Sequence, residues 1–227
     1  MYTNTSAPSE HALAVTTDSV VFRVSEHTLE LLLIRRRNEP FAGHWALPGG
    51  FVEPGETLKD CVSRELLEET GAGDDVYLEQ LYTFGDPGRD PRGRTVSVAY
   101  LGLVAYSEAQ APAAATDAEA AQWFPVDRLP ALAFDHTEII GKALERLRSK
   151  LRYSTIALKL SPEHFTLSEL QRVYEVILDR ALDKRNFRKQ ILGLGVVEPT
   201  GERQRNGNHR PAMLFKAANT GEIQVFR

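Results

Sequence analysis

Between Leu13 and Arg36 lie two apolar, β-branched runs, LAVTTDSVVFRV (13–24) and LELLLIRR (29–36), joined around the polar SEHT. Such residues pack well on a pleated surface, so both runs predict strands connected by a tight turn. The following NEPFAGHWALPGGFVEPGE (38–56) is broken by Gly and Pro and predicts a loop with short extended pieces. Residues 57–70 contain neither and stop at Gly71, which predicts a helix closed by a left-handed glycine. VYLEQLYTF (76–84) and RTVSVAYLGLVAY (94–106) predict two further strands on either side of the polar turn GDPGRDPRG. The Ala-rich AQAPAAATDAEAA (109–121) predicts a mobile surface loop, after which QWFPV returns to extended structure.

Beyond Asp135 the rhythm becomes helical. Ile139, Ile140, Ala143, Leu144, Leu147 and Leu151 form one stripe, with Asp135 placed to cap it. This helix predicts the joint between two parts, residues 1–150 and 151–227. TLSEL (166–170) is a capping box of Thr166 with Glu169, opening a short helix with Leu170, Val173, Tyr174 and Ile177 inward. After the turn DRALD comes KRNFRKQIL (184–192), a second short helix with Phe187, Ile191 and Leu192 inward. GVVEPTGERQRNGNHRPAMLFK (195–216) predicts a β-hairpin with a tip of Gly, Asn, Arg and His.

Charge sharpens the division. The net charge of −4 over 227 residues conceals 10 Lys and Arg against 21 Asp and Glu in residues 1–135, and 17 against 10 in the remainder. The two parts are therefore expected to meet different partners. Hydrophobic content of 42% and charged content of 26% are those of an ordinary soluble protein. The longest aliphatic run, Leu31 to Ile34, is far too short to span a bilayer, so no membrane partner is expected. MYTNTSAPSEHALAV has neither the basic start nor the apolar core of a signal peptide, and a single cysteine, Cys61, precludes an internal disulfide. A reducing, cytoplasmic setting is expected.

The candidate chemistry sits in RELLEETG (64–71). Glu65, Glu68 and Glu69 are spaced i, i+3, i+4, which gathers three carboxylates on or beside one helix face. Alone, such a run is a solvated acidic face. Together, the carboxylates suit a hard divalent cation, Mg²⁺ or Mn²⁺, that would bridge to phosphate oxygens and orient a water. Arg64 stands beside Glu65 to hold a carboxylate by a bidentate contact, and Gly49-Gly50 would admit close approach of a ligand. Gly50, then Glu56, then Arg64-Glu65-Leu66-x-Glu68-Glu69-x-Gly71 is similar to the signature of the Nudix family, with Ala72 in place of a larger aliphatic. The resemblance implies an α/β fold, an α/β/α sandwich, with Glu65, Glu68 and Glu69 as metal ligands and Glu68 and Glu69 catalytic if the site is active. Pro87, 15 residues beyond Ala72, resembles the subgroup acting on ADP-ribose. Phe84 offers stacking, Arg89, Arg92 or Arg94 phosphate contacts, and strand alternation lets Arg36 reach the cleft opposite Arg35. Arg36, Gly50, Phe84, Asp86, Arg89 and Arg92 are the expected effector site.

The basic part has its own pattern. With Phe187 inward, Lys184, Arg185, Asn186, Arg188 and Lys189 cover the outer face of a helix, which would enter the major groove of DNA. Arg203, Arg205, His209 and Arg210 would form a wing on phosphates or in the minor groove. Both halves in this order resemble the Nudix-related transcriptional regulators of bacterial NAD metabolism, the NrtR family. The resemblance is carried by WALPGGFVEPGE, YTFGDPGRDPRGR, AFDH, FTLSELQRVYE and LDKRNFRK. It implies a Nudix sandwich followed by a C-terminal winged helix-turn-helix, acting as a homodimeric repressor. Such a repressor sits on palindromic operator DNA near NAD genes and is released by ADP-ribose or a related metabolite. Many members of that family have a degraded signature, whereas this one is nearly intact. The glutamates therefore either hold metal for hydrolysis of ADP-ribose or persist as a ligand cradle; a metal-dependent ADP-ribose pyrophosphatase is the alternative reading.

Overall fold

The structure, a computed structural model, describes residues 13–73, 75–106, 118–205, 211–219 and 223–226. Strands β1 (Ala14–Ser25) and β2 (Thr28–Arg36) form the expected hairpin, and β3 (Trp45–Ala46) and β4 (Gly49–Phe51) are the short extended pieces of the Gly/Pro-rich stretch. Helix α1 (Leu58–Thr70) starts on Thr57, whose side chain accepts from the Asp60 N–H, and ends on Gly71 at φ 71°. Next come β5 (Tyr77–Phe84), β6 (Thr95–Leu103) and β7 (Ala118–Pro125). Residues 118–121, expected in a loop, are instead strand: Ala118 to Ala121 pair with Arg36 to Ile34. That side of β2 offers backbone hydrogen-bonding groups that a strand satisfies and a loop would leave open. Residues 109–117 of the expected loop lie outside the described residues.

The chain continues through α2 (His136–Lys150), α3 (Leu167–Leu178), α4 (Lys184–Gly193), β8 (Val197–Gln204) and β9 (Ala212–Ala217). The main sheet runs β3-β2-β1-β6-β5, with β4 added to β1 and β7 to β2. β1 and β6 are parallel and the other pairs antiparallel. Helices cover both faces. Val20, Phe22, Leu31 and Leu33 pack with Ile139, Ile140 and Ala143 of α2, whereas Val21 and Leu32 pack with Leu66 of α1. Burial on both sides is why these strands read as continuous apolar runs rather than alternating ones.

β1 also opens the cleft. Its first half, Thr16 to Asp18, pairs with β4, while its second half, Phe22 to Ser25, pairs with β2. The Ser19 N–H donates to Pro48 O at 2.8 Å where the partner changes. The splay between β2 and β4 leaves a hollow with Asp18 at its floor.

Beyond α2 the capping box forms as expected: the Glu169 N–H donates to Thr166 Oγ1 at 3.2 Å and the Thr166 N–H to Glu169 Oε2 at 2.7 Å. α3 and α4 meet through Tyr174 and Phe187, edge to face with centroids 5.2 Å apart. Phe165 and Phe215 exchange backbone hydrogen bonds, tying the β8–β9 hairpin to the start of α3. Leu192, expected inward, is 49% exposed. Five residues beyond Phe187 a helix has turned about 140° away from it, whereas Ile191, four residues on, is buried as expected. Leu147 and Leu151 share one apolar cluster with Leu170 and Ile177, so the sheet and the C-terminal helices are packed on a continuous core.

Candidate functional site

The hollow between β2 and β4 is a cleft of about 350 Å³. Asp18 comes from β1, Arg36 from the end of β2, Gly49, Gly50 and Phe51 from β4, Glu65 and Glu69 from α1, Arg89, Asp90 and Arg92 from the loop after β5, and Phe134 and His136 from the start of α2.

The acidic wall is α1. Arg64 binds Glu56 in bidentate fashion, Nε to Oε1 at 2.8 Å and Nη2 to Oε2 at 3.0 Å. It also reaches Glu65 at 2.8 Å and Glu68 at 3.3 Å. The expected bidentate contact therefore exists, but with Glu56. Arg64 holds the Glu56 carboxyl down to about 2. Arg64 itself supplies the positive charge that relieves repulsion among the glutamates. Glu68 is half-exposed and turned to Arg64, while Glu65 and Glu69 line the cleft. Among the described residues no three His, Cys, Asp or Glu side chains converge as a ready metal site. Glu65 and Glu68 both accept from Arg64 and Glu69 from the Gly49 N–H, and of the three Glu65 and Glu69 line the cleft.

Burial acts on these two. It raises Glu65, with Arg64 opposing, and pushes Glu69 up to about 8, with the Gly49 N–H donating to its Oε2 at 2.9 Å. A hard cation would favour the ionised form of both, so their chemistry fits Mg²⁺ or Mn²⁺. The adjacent glycines line the cleft and also leave room for this packing. A Cβ on Gly50 would lie 2.2 Å from Glu65 Oε1, and one on Gly49 would lie 2.1 Å from Thr17 O.

The opposite wall is cationic and aromatic. Arg36 donates to Pro40 O at 2.9 Å and Asn38 O at 3.3 Å, neither of which neutralises it, and lies 4.9 Å from the Phe134 ring centre. Burial lowers its pKa, and neighbouring Arg92 adds to the shift. Arg92 is held by Asp90, Nη2 to Oδ2 at 2.7 Å, and lies 5.0 Å from the Phe51 ring and 5.7 Å from that of Phe134. Arg89 is 5% exposed and clasps Asp135 at 2.7 and 2.8 Å. Asp18 faces Arg89 and His136 at 3.6 Å each and accepts from the Ser97 hydroxyl. The His136 Nδ1 accepts from the Leu47 N–H at 2.9 Å, which leaves the proton of the neutral ring on Nε2, toward Asp18. Burial holds that ring's pKa low.

The structure thus brings Arg36, Gly50, Arg89 and Arg92 into one cleft with Glu65 and Glu69. Phe84 does not reach it: that ring is buried in the core, edge-on to Tyr82. Asp86 is exposed outside the cleft lining, and Arg94 turns back to Gly85 O. Phe51 and Phe134 supply the aromatic surface assigned in sequence to Phe84. Asp18, Phe51, Phe134 and His136 went unread in sequence; AFDH was the single signal pointing near two of them.

A second surface lies on α4. Lys184, Arg185, Asn186, Arg188 and Lys189 are all exposed, while Phe187 and Ile191 are buried. Asp183 caps the helix through the Asn186 N–H at 2.8 Å. Arg203 and Arg205 are exposed on the hairpin; His209 and Arg210 lie outside the described residues.

Two family models match the chain. The NUDIX domain model matches residues 13–147, and that of the NrtR DNA-binding winged helix domain matches residues 157–217. The chain is 40% identical over 208 residues to the ADPR responsive transcriptional repressor NtrR of Acinetobacter baylyi, covering 90% of this chain and 82% of that protein. It is 43% identical over 127 residues to the ADP-ribose pyrophosphatase of Methanocaldococcus jannaschii, covering 56% of this chain and 70% of that one. The structure of Shewanella oneidensis NrtR complexed with a 27mer DNA superposes with a TM-score of 0.78 at 38% identity, over 89% of this chain and 93% of that one. The NUDIX domain of the same protein complexed with ADP ribose gives a TM-score of 0.55 at 38% identity, over 63% of this chain and 94% of that one.

Proposed function

The chain belongs to the NrtR family of Nudix-related regulators, and from that membership we propose that it is a transcriptional repressor of NAD-metabolism genes whose hold on DNA is relieved by ADP-ribose. Residues 1–150 bind the effector and residues 151–227 the operator. The observation that carries the reading is α4, which shows Lys184, Arg185, Arg188 and Lys189 to solvent while burying Phe187 and Ile191. A helix that only packed would not need that cationic face; one that enters a major groove does. Arg203 and Arg205, exposed on the hairpin, extend it as a wing on the phosphates.

In the Nudix cleft, Arg36 and Arg92 receive the diphosphate. Arg36 suits it because its present partners are carbonyl oxygens that leave its charge free for an anion. Phe51 and Phe134 offer flat faces for the adenine or a ribose. Two copies of the chain, related by a two-fold axis, would place two α4 helices on successive turns of a palindrome.

The test uses a duplex selected by the wild-type protein from a random-sequence pool. ADP-ribose lowers affinity for that duplex, and the duplex lowers ADP-ribose affinity by the same factor, about 5- to 150-fold. Equal ADP-ribose affinities with and without duplex would overturn the reading.

A second reading, hydrolysis of ADP-ribose, is favoured by Glu65 and Glu69, two desolvated carboxylates facing the arginines. Nudix hydrolase relatives generally use divalent metals. Here Glu65 and Glu69 would hold Mg²⁺ or Mn²⁺, which when bound would neutralise phosphate charge and activate a water. Metal-dependent release of AMP from ADP-ribose, lost in Glu69→Gln, would make the protein an enzyme that also binds DNA.

A further inference from the structure

Three of the α-helices among the described residues begin on a side-chain cap, and α2 does not. Thr57, Thr166 and Asp183 have extended backbones (ψ 158°, 155° and 118°), and each side chain accepts the N–H three residues on. Asp135 is of a residue type well suited to the task. Yet it stands before α2 at φ −93°, ψ 19°, its carbonyl accepting the Glu138 N–H at 2.9 Å while its side chain caps nothing. Its carboxylate is turned to Arg89, with both oxygens engaged at 2.7 and 2.8 Å. The preceding Phe134 sits at φ 53°, a left-handed conformation that residues with bulky side chains avoid. Arg89, the cation that makes the contact, lines the cleft and also faces Asp18 at 3.6 Å.

We propose that the Arg89–Asp135 pair is the contact through which the cleft reports its occupancy. This rests on the reading above, that ADP-ribose fills the cleft and weakens DNA binding. An anionic ligand draws Arg89 off Asp135; the freed carboxylate then turns to the Thr137 N–H in the first turn of α2, whose neighbours His136 and Glu138 already donate to Ala133 O and Asp135 O, and Phe134 leaves its strained conformation. α2 carries the change to the DNA-binding part. Its 15 residues make a rod about 22 Å long. At the far end Arg148 Nε donates to Ile177 O, near the end of α3, at 3.0 Å. Leu147 and Leu151 lie in the same apolar cluster as Leu170 and Ile177. The first turn of α2 and the seat of the DNA-reading helices are therefore parts of one packed body.

Asp135→Ser tests this, because serine caps a helix as well as aspartate does but cannot clasp an arginine. The proposal expects the variant to fold with a native circular dichroism spectrum. It should bind the selected duplex about tenfold more weakly than wild type without ligand, and respond to ADP-ribose by less than about twofold. It should also bind ADP-ribose more tightly than wild type, since the contact the ligand must break is already gone. A merely damaged protein would lose ADP-ribose affinity as well, and that outcome overturns the proposal. So does duplex affinity equal to wild type without ligand. Arg89→Gln is the second variant: it too frees Asp135, and wild-type duplex affinity in it would overturn the proposal even if the serine variant failed to fold. A wild-type protein whose duplex affinity ADP-ribose leaves unchanged overturns the functional reading itself.

Discussion

Replacing Glu69 with Gln should stabilise the protein, by an amount that grows with pH. Glu69 is 7% exposed, and burial, aided by the charges of Glu65 and Asp18, pushes its carboxyl up to about 8 against the pull of the Gly49 N–H and Arg36. In the unfolded chain a glutamate titrates near about 4.3. Between those two values the folded protein keeps a proton that the unfolded chain has released. Stability from this group is therefore greatest below about pH 4.3 and is lost as pH rises through about 8. At about 1.4 kcal/mol for each unit of difference, the loss reaches roughly 3–5 kcal/mol by pH 8.5, and about half of that by pH 6.5. Glutamine has no proton to lose and keeps an oxygen for the Gly49 N–H. Urea unfolding of wild type and Glu69→Gln at half-unit intervals from pH 5 to 9, in a chelator, measures the difference directly. The two proteins should converge at the acid end and separate steadily above it. Parallel curves across the range would refute the argument that desolvation of Glu69 dominates this wall of the cleft. Adding Mg²⁺ at pH 8.5 should narrow the gap by stabilising wild type alone, because the cation offsets the buried charge only where there is one.

Other outcomes follow from single contacts. Lys184→Ala with Arg188→Ala should abolish selective DNA binding without altering ADP-ribose affinity in the absence of DNA; each lost phosphate contact flattens the dependence of log K on log salt by about 0.9, measured by anisotropy. Arg36→Ala should weaken ADP-ribose binding by about 10- to 100-fold in calorimetry, the usual worth of a hydrogen bond to a charged group, and lysine should restore it only in part because it lacks the planar fork. Thr166→Ala should lower unfolding free energy by about 1 kcal/mol, since Thr166 is 6% exposed and its hydroxyl oxygen accepts the Glu169 N–H at 3.2 Å.

Local order was legible in the chain before any folding was considered. The runs around Val20 and Leu32, the capping box at Thr166, the glycine stop at Gly71 and the stripe from Ile139 to Leu151 each state a preference among neighbours a few residues apart. A strand's period, a cap and a helix stripe depend on nothing more distant. The register of Gly50, Glu56, Arg64-Glu65-Leu66, Glu68-Glu69 and Gly71 was legible for the same reason, since one loop and one helix contain it. So was the outward face of α4, which needs only Phe187 and Ile191 to be buried.

Contacts between distant segments belonged to the tertiary structure alone. Arg64 spends its donors on Glu56, Glu65 and Glu68 while Glu69 turns to the Gly49 N–H, so three glutamates that helical spacing had grouped are held by partners from different segments. Phe84 and Phe134 could not be ranked as ring donors to the cleft from sequence, because which face of β5 is covered depends on where α2 packs. Asp135 looked like a helix cap, and in the primary sequence it is one; Arg89, 46 residues away, turns it to another purpose. Ala118 to Ala121 became strand because the edge of β2 lay open to them. In each case a short-range preference worth a few tenths to about one kcal/mol met a long-range hydrogen bond, charge pair or buried surface worth as much or more, and the partner that decided it was brought there only by the fold.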